Sequence, residues 1–219
     1  MLTFARREPS AVLFAAQLAG LLVYPVMEGN QVGQALFSVL GIAILGLVVR
    51  AVRSSPGWTW LGVALAVPAS ILLLIQVVTG SDELQPWSSA FEAPLYFYAA
   101  GGLIAYMLAD HEITRDELFA VGATFTLVAW GFAYVYVVCQ AVAPQSFTAA
   151  VDPQDPRTWI ELLFLSFTTL SSTGLSDVVP IRPFARSLVM FEQLAGIAYV
   201  AMVVSRLVGL TVMRGTQRP

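Results

Sequence analysis

An apolar segment too short to cross a membrane, followed by a polar stretch that contains a glycine, most constrains what this chain can fold into. Residues 159–170 are apolar, whereas a helix needs about 20 residues to span a bilayer. The polar residues 171–177 include Gly174, and a proline-containing turn leads into the apolar run 184–210. Irregular backbone at membrane depth is tolerated only when it is buried in protein or lines a water-filled path. We therefore predict a re-entrant loop that forms part of a pore.

The composition places the rest of the chain in a membrane. Hydrophobic residues make up 58% of the sequence and charged residues 11%, whereas a soluble domain carries about 25% charged residues. Apolar runs predict an all-α integral membrane protein with six transmembrane helices plus a re-entrant pore helix and filter loop. The six predicted spans are residues 10–27, 32–49, 58–78, 93–108, 118–142 and 184–210. We expect a kink at Pro68 and a retained first span rather than a signal peptide.

The arginines predict the orientation. With both termini in the cytoplasm, eight arginines lie on or near the inside, and Arg157, Arg182 and Arg186 lie outside. This agrees with the positive-inside rule and places the re-entrant loop on the outer face.

Residues 168–177, T-T-L-S-S-T-G-L-S-D, resemble the pore signature of potassium channels, T-T-x-T-T-V-G-Y-G-D. Residues 172–177 take, in order, the places of the filter threonine, valine, glycine, tyrosine, glycine and aspartate. Pro180 matches the proline after that filter, and Gly196 matches the hinge glycine of the inner helix. The resemblance covers about a quarter of the chain. Because the chain has one such signature, the resemblance implies a homotetramer in the bilayer that binds permeant cations and no nucleic acid.

The resemblance implies an ion-coordinating filter of backbone carbonyls that binds K⁺ or Na⁺, with no other cofactor. Its residues are Ser172, Thr173, Gly174, Leu175 and Ser176. The structural alternative is that the hydroxyl residues after position 170 are ordinary helix-terminus caps.

Among the positions that depart from the signature, Leu175 and Ser176 bear most on selectivity. Ser176 replaces a glycine where a positive φ is expected, a conformation that a residue with a Cβ adopts at a cost. Leu175 replaces a tyrosine and cannot donate its hydrogen bond. We expect a rebuilt or wider outer filter and weaker selectivity for K⁺ than in T-V-G-Y-G channels.

Asp177 is expected at the outer mouth. Fourfold symmetry would make a ring of carboxylates that concentrates cations there. The alternative, compatible with the first, is a structural cap behind the filter. Glu161, near the start of the pore helix, is expected to complement the helix dipole.

Gly196 is predicted to be the gating hinge of the sixth span. Its alternative role is close packing against the pore helix, since membrane helices use small residues for contact. The face formed by Ile197, Val200, Ala201 and Val204 is predicted to line the inner pore, where an apolar constriction gates by dewetting. A lipid or neighbour contact is the alternative.

Glu192 is an ionisable residue inside a predicted span, which marks a functional-site hypothesis. We expect it and Gln193 to brace the pore helix by hydrogen bonds to Ser166 or Trp159. A proton or ion site is the alternative that the sequence leaves open.

We predict two domains: residues 1–110, a four-helix membrane domain, and residues 111–219, the pore domain. The first takes the place of a voltage sensor, but residues 93–108 contain none of the arginines that such a sensor repeats. The chain is therefore predicted to be a cation channel that no arginine voltage sensor gates.

Other functions remain as alternatives. With one His, one Cys and no catalytic motif, a membrane enzyme is not expected. A channel-like subunit that does not conduct, serving as a sensor or assembly partner, would have the same sequence features. A non-selective or divalent-permeable channel is the other alternative. The resemblance is to small bacterial members of the superfamily, which predicts a multi-pass protein of the bacterial inner membrane.

Overall fold

The structure, a computed structural model, describes residues 8–27, 59–80, 82–109 and 114–216. In those ranges the chain is almost entirely helical, as predicted. Its described helices are α1 (Pro9–Met27), α2 (Thr59–Thr79), α3 (Gln85–Leu108), α4 (Arg115–Val142), α5 (Trp159–Leu170) and α6 (Pro183–Thr216). A 3₁₀ turn, Asp82–Leu84, precedes α3, and the two-residue strands β1 (Phe147–Thr148) and β2 (Val179–Pro180) pair antiparallel. The predicted second span, residues 32–49, lies outside the described residues.

Two of the described helices are long and apolar enough to cross a membrane. These are α4 and the Pro183–Gly209 part of α6. Helices α1 and α2 contain shorter apolar stretches, Pro9–Val23 and Trp60–Gln76. Two such helices flanking the half-length α5 fit a membrane channel, and the total of six spans stays a prediction.

The start of α3 differs from the prediction. The fourth span was predicted to begin at residue 93, yet the helix begins at Gln85. A proline occupies its first turn, where the missing N–H costs no hydrogen bond. Ser88 is buried and accepts a hydrogen bond from Gln76 Nε2 at 3.0 Å. Because α2 covers this polar side chain, composition alone placed the boundary too late.

The start of α4 is also earlier than the predicted residue 118. Thr114 is the N-cap, and its hydroxyl accepts a hydrogen bond from the Glu117 N–H at 3.2 Å. Asp116 and Glu117 lie in the first turn, where negative charge complements the helix dipole.

Helix α4 is the centre of the described fold and packs against α1, α3, α5 and α6. Close helix contact is possible at Gly122, where an added Cβ would lie 2.6 Å from the Phe14 ring of α1. In its C-terminal half, Trp130 and Tyr134 pack against Tyr96 of α3 and Trp159 of α5, with ring centroids 5.4–5.7 Å apart. These aromatic contacts hold the start of α5 against α4.

Helix α6 is less covered than α4. Within its most apolar window 22% of the residues are buried inside the chain, against 50% for α4. Its exposed side is mostly apolar up to Gly209 and includes Met190, Leu194, Ile197, Val204 and Val208. An apolar face that a single chain leaves open must be covered by lipid or by other subunits.

Candidate functional site

The site is built around α5, a helix of 12 residues that corresponds to the predicted pore helix. Its start is fixed by a capping box. Glu161 Oε2 accepts a hydrogen bond from the Thr158 N–H at 2.6 Å, and Thr158 Oγ1 accepts from the Glu161 N–H at 3.4 Å. This arrangement satisfies the first amides of the helix and places a carboxylate at its positive end, as expected for Glu161.

Arg157 anchors the loop that leads into α5. It is buried and donates to the carbonyls of Val151 at 3.1 Å and Asp155 at 2.6 Å, and it pairs with Glu161 at 3.3 Å. Its backbone exchanges two hydrogen bonds with the Gln140 side chain of α4, at 2.7 and 3.0 Å. The loop between α4 and α5 is thereby tied to the C-terminal end of α4.

The chain reverses direction immediately after α5. The Thr168 carbonyl accepts hydrogen bonds from the N–H groups of Thr173 at 2.9 Å and Gly174 at 3.1 Å. The Ser171 N–H donates to Phe167 O at 3.0 Å. The last carbonyls of α5 are thus satisfied by the predicted filter segment itself, which fixes that segment to the helix end.

Positive φ angles occur at Ser172 (60°) and Gly174 (65°), separated by one residue. The expectation for Ser176 was wrong, because Ser176 is not among the positive-φ residues of the described chain. Its hydroxyl instead accepts a hydrogen bond from the Val178 N–H at 3.0 Å. The turn that closes on Thr168 requires the left-handed conformation earlier, at Ser172, where it costs about 1–2 kcal/mol.

The predicted filter residues lie on the surface of the single chain. Ser172, Thr173 and Gly174 are exposed, Ser176 is half-buried, and Leu175 is 77% exposed. Their hydroxyls and carbonyls are therefore open to ions or to other copies of the chain. The alternative of ordinary helix-end caps has support at Ser171, whose Oγ donates to Phe167 O at 2.6 Å, and ion coordination stays a prediction.

The segment that follows residue 177 is bonded to the loop between α4 and α5. Strand β2 pairs with β1, and the Ile181 N–H donates to Ser146 O at 2.9 Å. Val178 between them is buried. Strands of two residues leave no periodic pattern in a sequence, so this anchor was missed. Asp177, just before it, is exposed, and its place at an outer mouth stays a prediction.

Gly196 lies directly against the end of α5. An added Cβ would lie 2.1 Å from Leu170 O, a backbone atom that cannot rotate away. Close packing, the alternative weighed for this residue, is therefore present. Helix α6 runs through Gly196 without interruption, and its role as a gating hinge stays a prediction.

The predicted inner lining shares one exposed face of α6. Ile197 is 59%, Val200 49% and Val204 52% exposed, and Ala201 is exposed beside them. The single chain covers none of the four. Their exposure is compatible with a pore lining, a lipid contact or a contact between subunits.

Glu192 joins three helices. Its side chain is fully buried, and its two carboxyl oxygens form hydrogen bonds with the Ser166 hydroxyl of α5 and the Tyr136 hydroxyl of α4. The expected brace to Ser166 is confirmed. The contact with Tyr136 was missed because no spacing relates residues so far apart in sequence.

At the opposite end of α6, Arg206 pairs with the buried Glu117 of α4 at 3.4 Å. Asp116, next to Glu117, accepts hydrogen bonds from Ser10 N–H at 2.9 Å and Ser10 Oγ at 2.8 Å. Two consecutive carboxylates of α4 thus hold α1 on one side and α6 on the other. The sequence could have indicated the Glu117–Arg206 pair, because an acidic and a basic residue lie near the ends of two predicted spans.

The comparison with known families gives one result. A family model described as an ion channel matches residues 122–212, from the first third of α4 through α5 to α6. No curated protein and no solved structure matches the chain. The matched segment contains α5, the reversal after it and the two flanking helices. Together with the two long apolar helices, the match supports an ion channel family and a membrane location for this part of the chain.

Proposed function

We propose that this protein is a homotetrameric cation channel that conducts K⁺ or another monovalent cation passively through the segment 172–177. One observation carries the proposal. A half-length helix, α5, lies between two long apolar helices, and the exposed polar segment that follows it has its backbone fixed by hydrogen bonds to Thr168. Four copies around an axis would bring those segments together as a ring of carbonyl and hydroxyl oxygens.

The uncovered apolar face of α6 supports the tetramer. In a channel of this kind the inner helices face one another and the pore, so a single chain leaves that side open. Asp177 would add a carboxylate per subunit at the outer mouth and raise the local cation concentration. The filter differs from T-V-G-Y-G at several positions, among them Leu175 and Ser176, and we propose reduced selectivity for K⁺ over Na⁺.

The test is ion flux into liposomes that hold the purified protein, with K⁺, Na⁺ and Ca²⁺ gradients in turn. The blocking variant is Gly174→Asp, which places a carboxylate in the proposed filter. Gly80→Asp is its matched control, because Gly80 has a similar φ of 62° and, like Gly174, no atom within 4 Å of an added Cβ. Both variants carry the same backbone strain, and only one carries it in the filter.

We expect K⁺ flux that exceeds Na⁺ flux, survives Gly80→Asp and disappears in Gly174→Asp. Equal monovalent fluxes would favour a non-selective pore, and Ca²⁺ flux would favour a divalent-permeable one. No flux in any gradient, from protein shown to be tetrameric, would refute conduction and favour a channel-like subunit that serves as a sensor or assembly partner.

A further inference from the structure

Three hydrogen-bond contacts surround the buried Glu192 carboxyl, but the two hydroxyl groups that take part supply only two protons. Ser166 Oγ lies 2.8 Å from the Ala129 carbonyl of α4 and also contacts Glu192 Oε1. Tyr136 Oη contacts the other carboxyl oxygen, Oε2. All three side chains are fully buried. The chain of contacts therefore runs from Ala129 through Ser166 and Glu192 to Tyr136.

The number of available protons indicates the protonation state of the Glu192 carboxyl. A carbonyl oxygen carries no proton, and each hydroxyl carries one. An ionised Glu192 would leave two protons for three contacts, so the Ser166 hydroxyl would have to abandon either Ala129 or Glu192. A proton on Glu192 Oε1 completes the set. Glu192 then donates to Ser166, Ser166 donates to Ala129, and Tyr136 donates to Oε2.

Among the described residues, no arginine forms an ion pair with Glu192. The groups that reach its carboxyl from the neighbouring helices are the Tyr136 phenol of α4 and the Ser166 hydroxyl of α5. Among the described residues, the ion pairs are Arg157–Glu161 and Arg206–Glu117, and neither includes Glu192. A buried carboxylate without a cation is costly, whereas a neutral, fully hydrogen-bonded acid is not.

We propose that Glu192 is held as a neutral carboxylic acid and that in this form it positions the pore helix α5 for conduction. The proposal rests on the proposed channel function. Glu192 and Gly196 are one turn apart on α6, and they contact Ser166 and Leu170, which are one turn apart on α5. The two contacts fix both the depth and the rotation of α5 against α6.

The position of α5 is transmitted to the filter segment through backbone hydrogen bonds. Thr168, between the two contacts, accepts from the amides of Thr173 and Gly174. A movement of α5 would therefore carry the filter backbone with it. Glu192 is in this sense a positioning residue, which acts on the ion path through Ser166 and α5.

Glu192→Gln tests the protonation state. Its amide N–H can donate to Ser166 and its carbonyl oxygen can accept from Tyr136, which reproduces the hydrogen-bond pattern of the neutral acid. We expect Glu192→Gln to keep the K⁺ flux and the K⁺-to-Na⁺ flux ratio within about twofold of the wild type. Glu192→Ala is expected to lower the flux at least tenfold, and Gln193→Ala, at the exposed neighbouring position, is the control that leaves it unchanged. Loss of flux in Glu192→Gln equal to that in Glu192→Ala would overturn the proposal.

An infrared measurement tests the same point without conduction. The difference spectrum of wild type minus Glu192→Gln, recorded on tetrameric protein at neutral pH, should contain the C=O stretching band of a protonated carboxylic acid, and this band should shift in D₂O. Absence of the band would show an ionised Glu192 and refute the proposal. If the band is present while the wild type conducts no ion, the neutral acid stands and the channel function fails.

Discussion

Replacing Gly196 with alanine tests the contact between α5 and α6. The added methyl would lie 2.1 Å from Leu170 O, 2.9 Å from its carbonyl carbon and 3.0 Å from its Cα. A carbon and an oxygen in contact lie about 3.3 Å or more apart, so the two helix backbones must separate by roughly 1 Å. All three atoms belong to the backbone, so no side-chain rotation relieves the overlap.

The expected magnitude follows from two opposing terms. Overpacking of this kind costs about 1–3 kcal/mol, and the rigid backbone contact places Gly196→Ala at the upper end. Alanine is the better helix former by about 1 kcal/mol. The net destabilisation is therefore about 2 kcal/mol per subunit. Gly209→Ala is the matched control, because Gly209 lies in the same helix with no atom within 4 Å of an added Cβ. Gly209→Ala gains the higher helix propensity of alanine without a steric overlap.

The assay is SDS-induced unfolding of the purified protein in mixed micelles, with ion flux measured in parallel. We expect Gly196→Ala to unfold at a lower SDS fraction than the wild type, and Gly209→Ala to unfold at the same fraction or a higher one. If Gly196→Ala is as stable as Gly209→Ala, the close contact described here is refuted. Reduced flux in a Gly196→Ala protein of unchanged stability would favour the hinge.

Three further predictions concern the Glu117–Arg206 ion pair, the Arg157 anchor and the proposed filter. Glu117→Ala or Arg206→Ala alone removes one partner of a buried ion pair and should destabilise by about 3–5 kcal/mol, whereas the double variant should lose less than the sum; additive losses in SDS unfolding would contradict the pairing. Arg157→Lys keeps the charge but loses the fork that reaches several carbonyls, and should increase hydrogen exchange of residues 151–158; unchanged protection would contradict its role. The double change Leu175→Tyr and Ser176→Gly should raise the K⁺-to-Na⁺ flux ratio, and an unchanged ratio would count against the filter alignment.

Features that depend on neighbouring residues could be predicted from the sequence. The length of α5 follows from its apolar run, and its start follows from the Thr158–Glu161 pair, because a capping box needs only residues three apart. The glycine at position 174 marks a positive φ, which the structure has. The link from Glu192 to Ser166 was also within reach, because a charge inside an apolar helix requires a polar partner on an adjacent helix.

Features that depend on packing could not be predicted in this way. The start of α3 was predicted too late because several residues before position 93 are polar. The structure shows that α2 satisfies one of them, since Gln76 of α2 donates a hydrogen bond to Ser88. The strain expected at Ser176 lies at Ser172, since the return of the chain to Thr168 decides which residue takes the left-handed conformation.

The sequence by itself determined that this chain enters a membrane, that α5 is too short to cross it, and that a polar segment follows. Those properties depend on hydrophobicity and helix length, which are local. Only the tertiary structure decided that Gly196 touches Leu170, that Tyr136 shares the Glu192 carboxyl, and that one face of α6 stays open. Each of these depends on the distance between residues that lie far apart in the chain, and that distance is set by how whole helices pack.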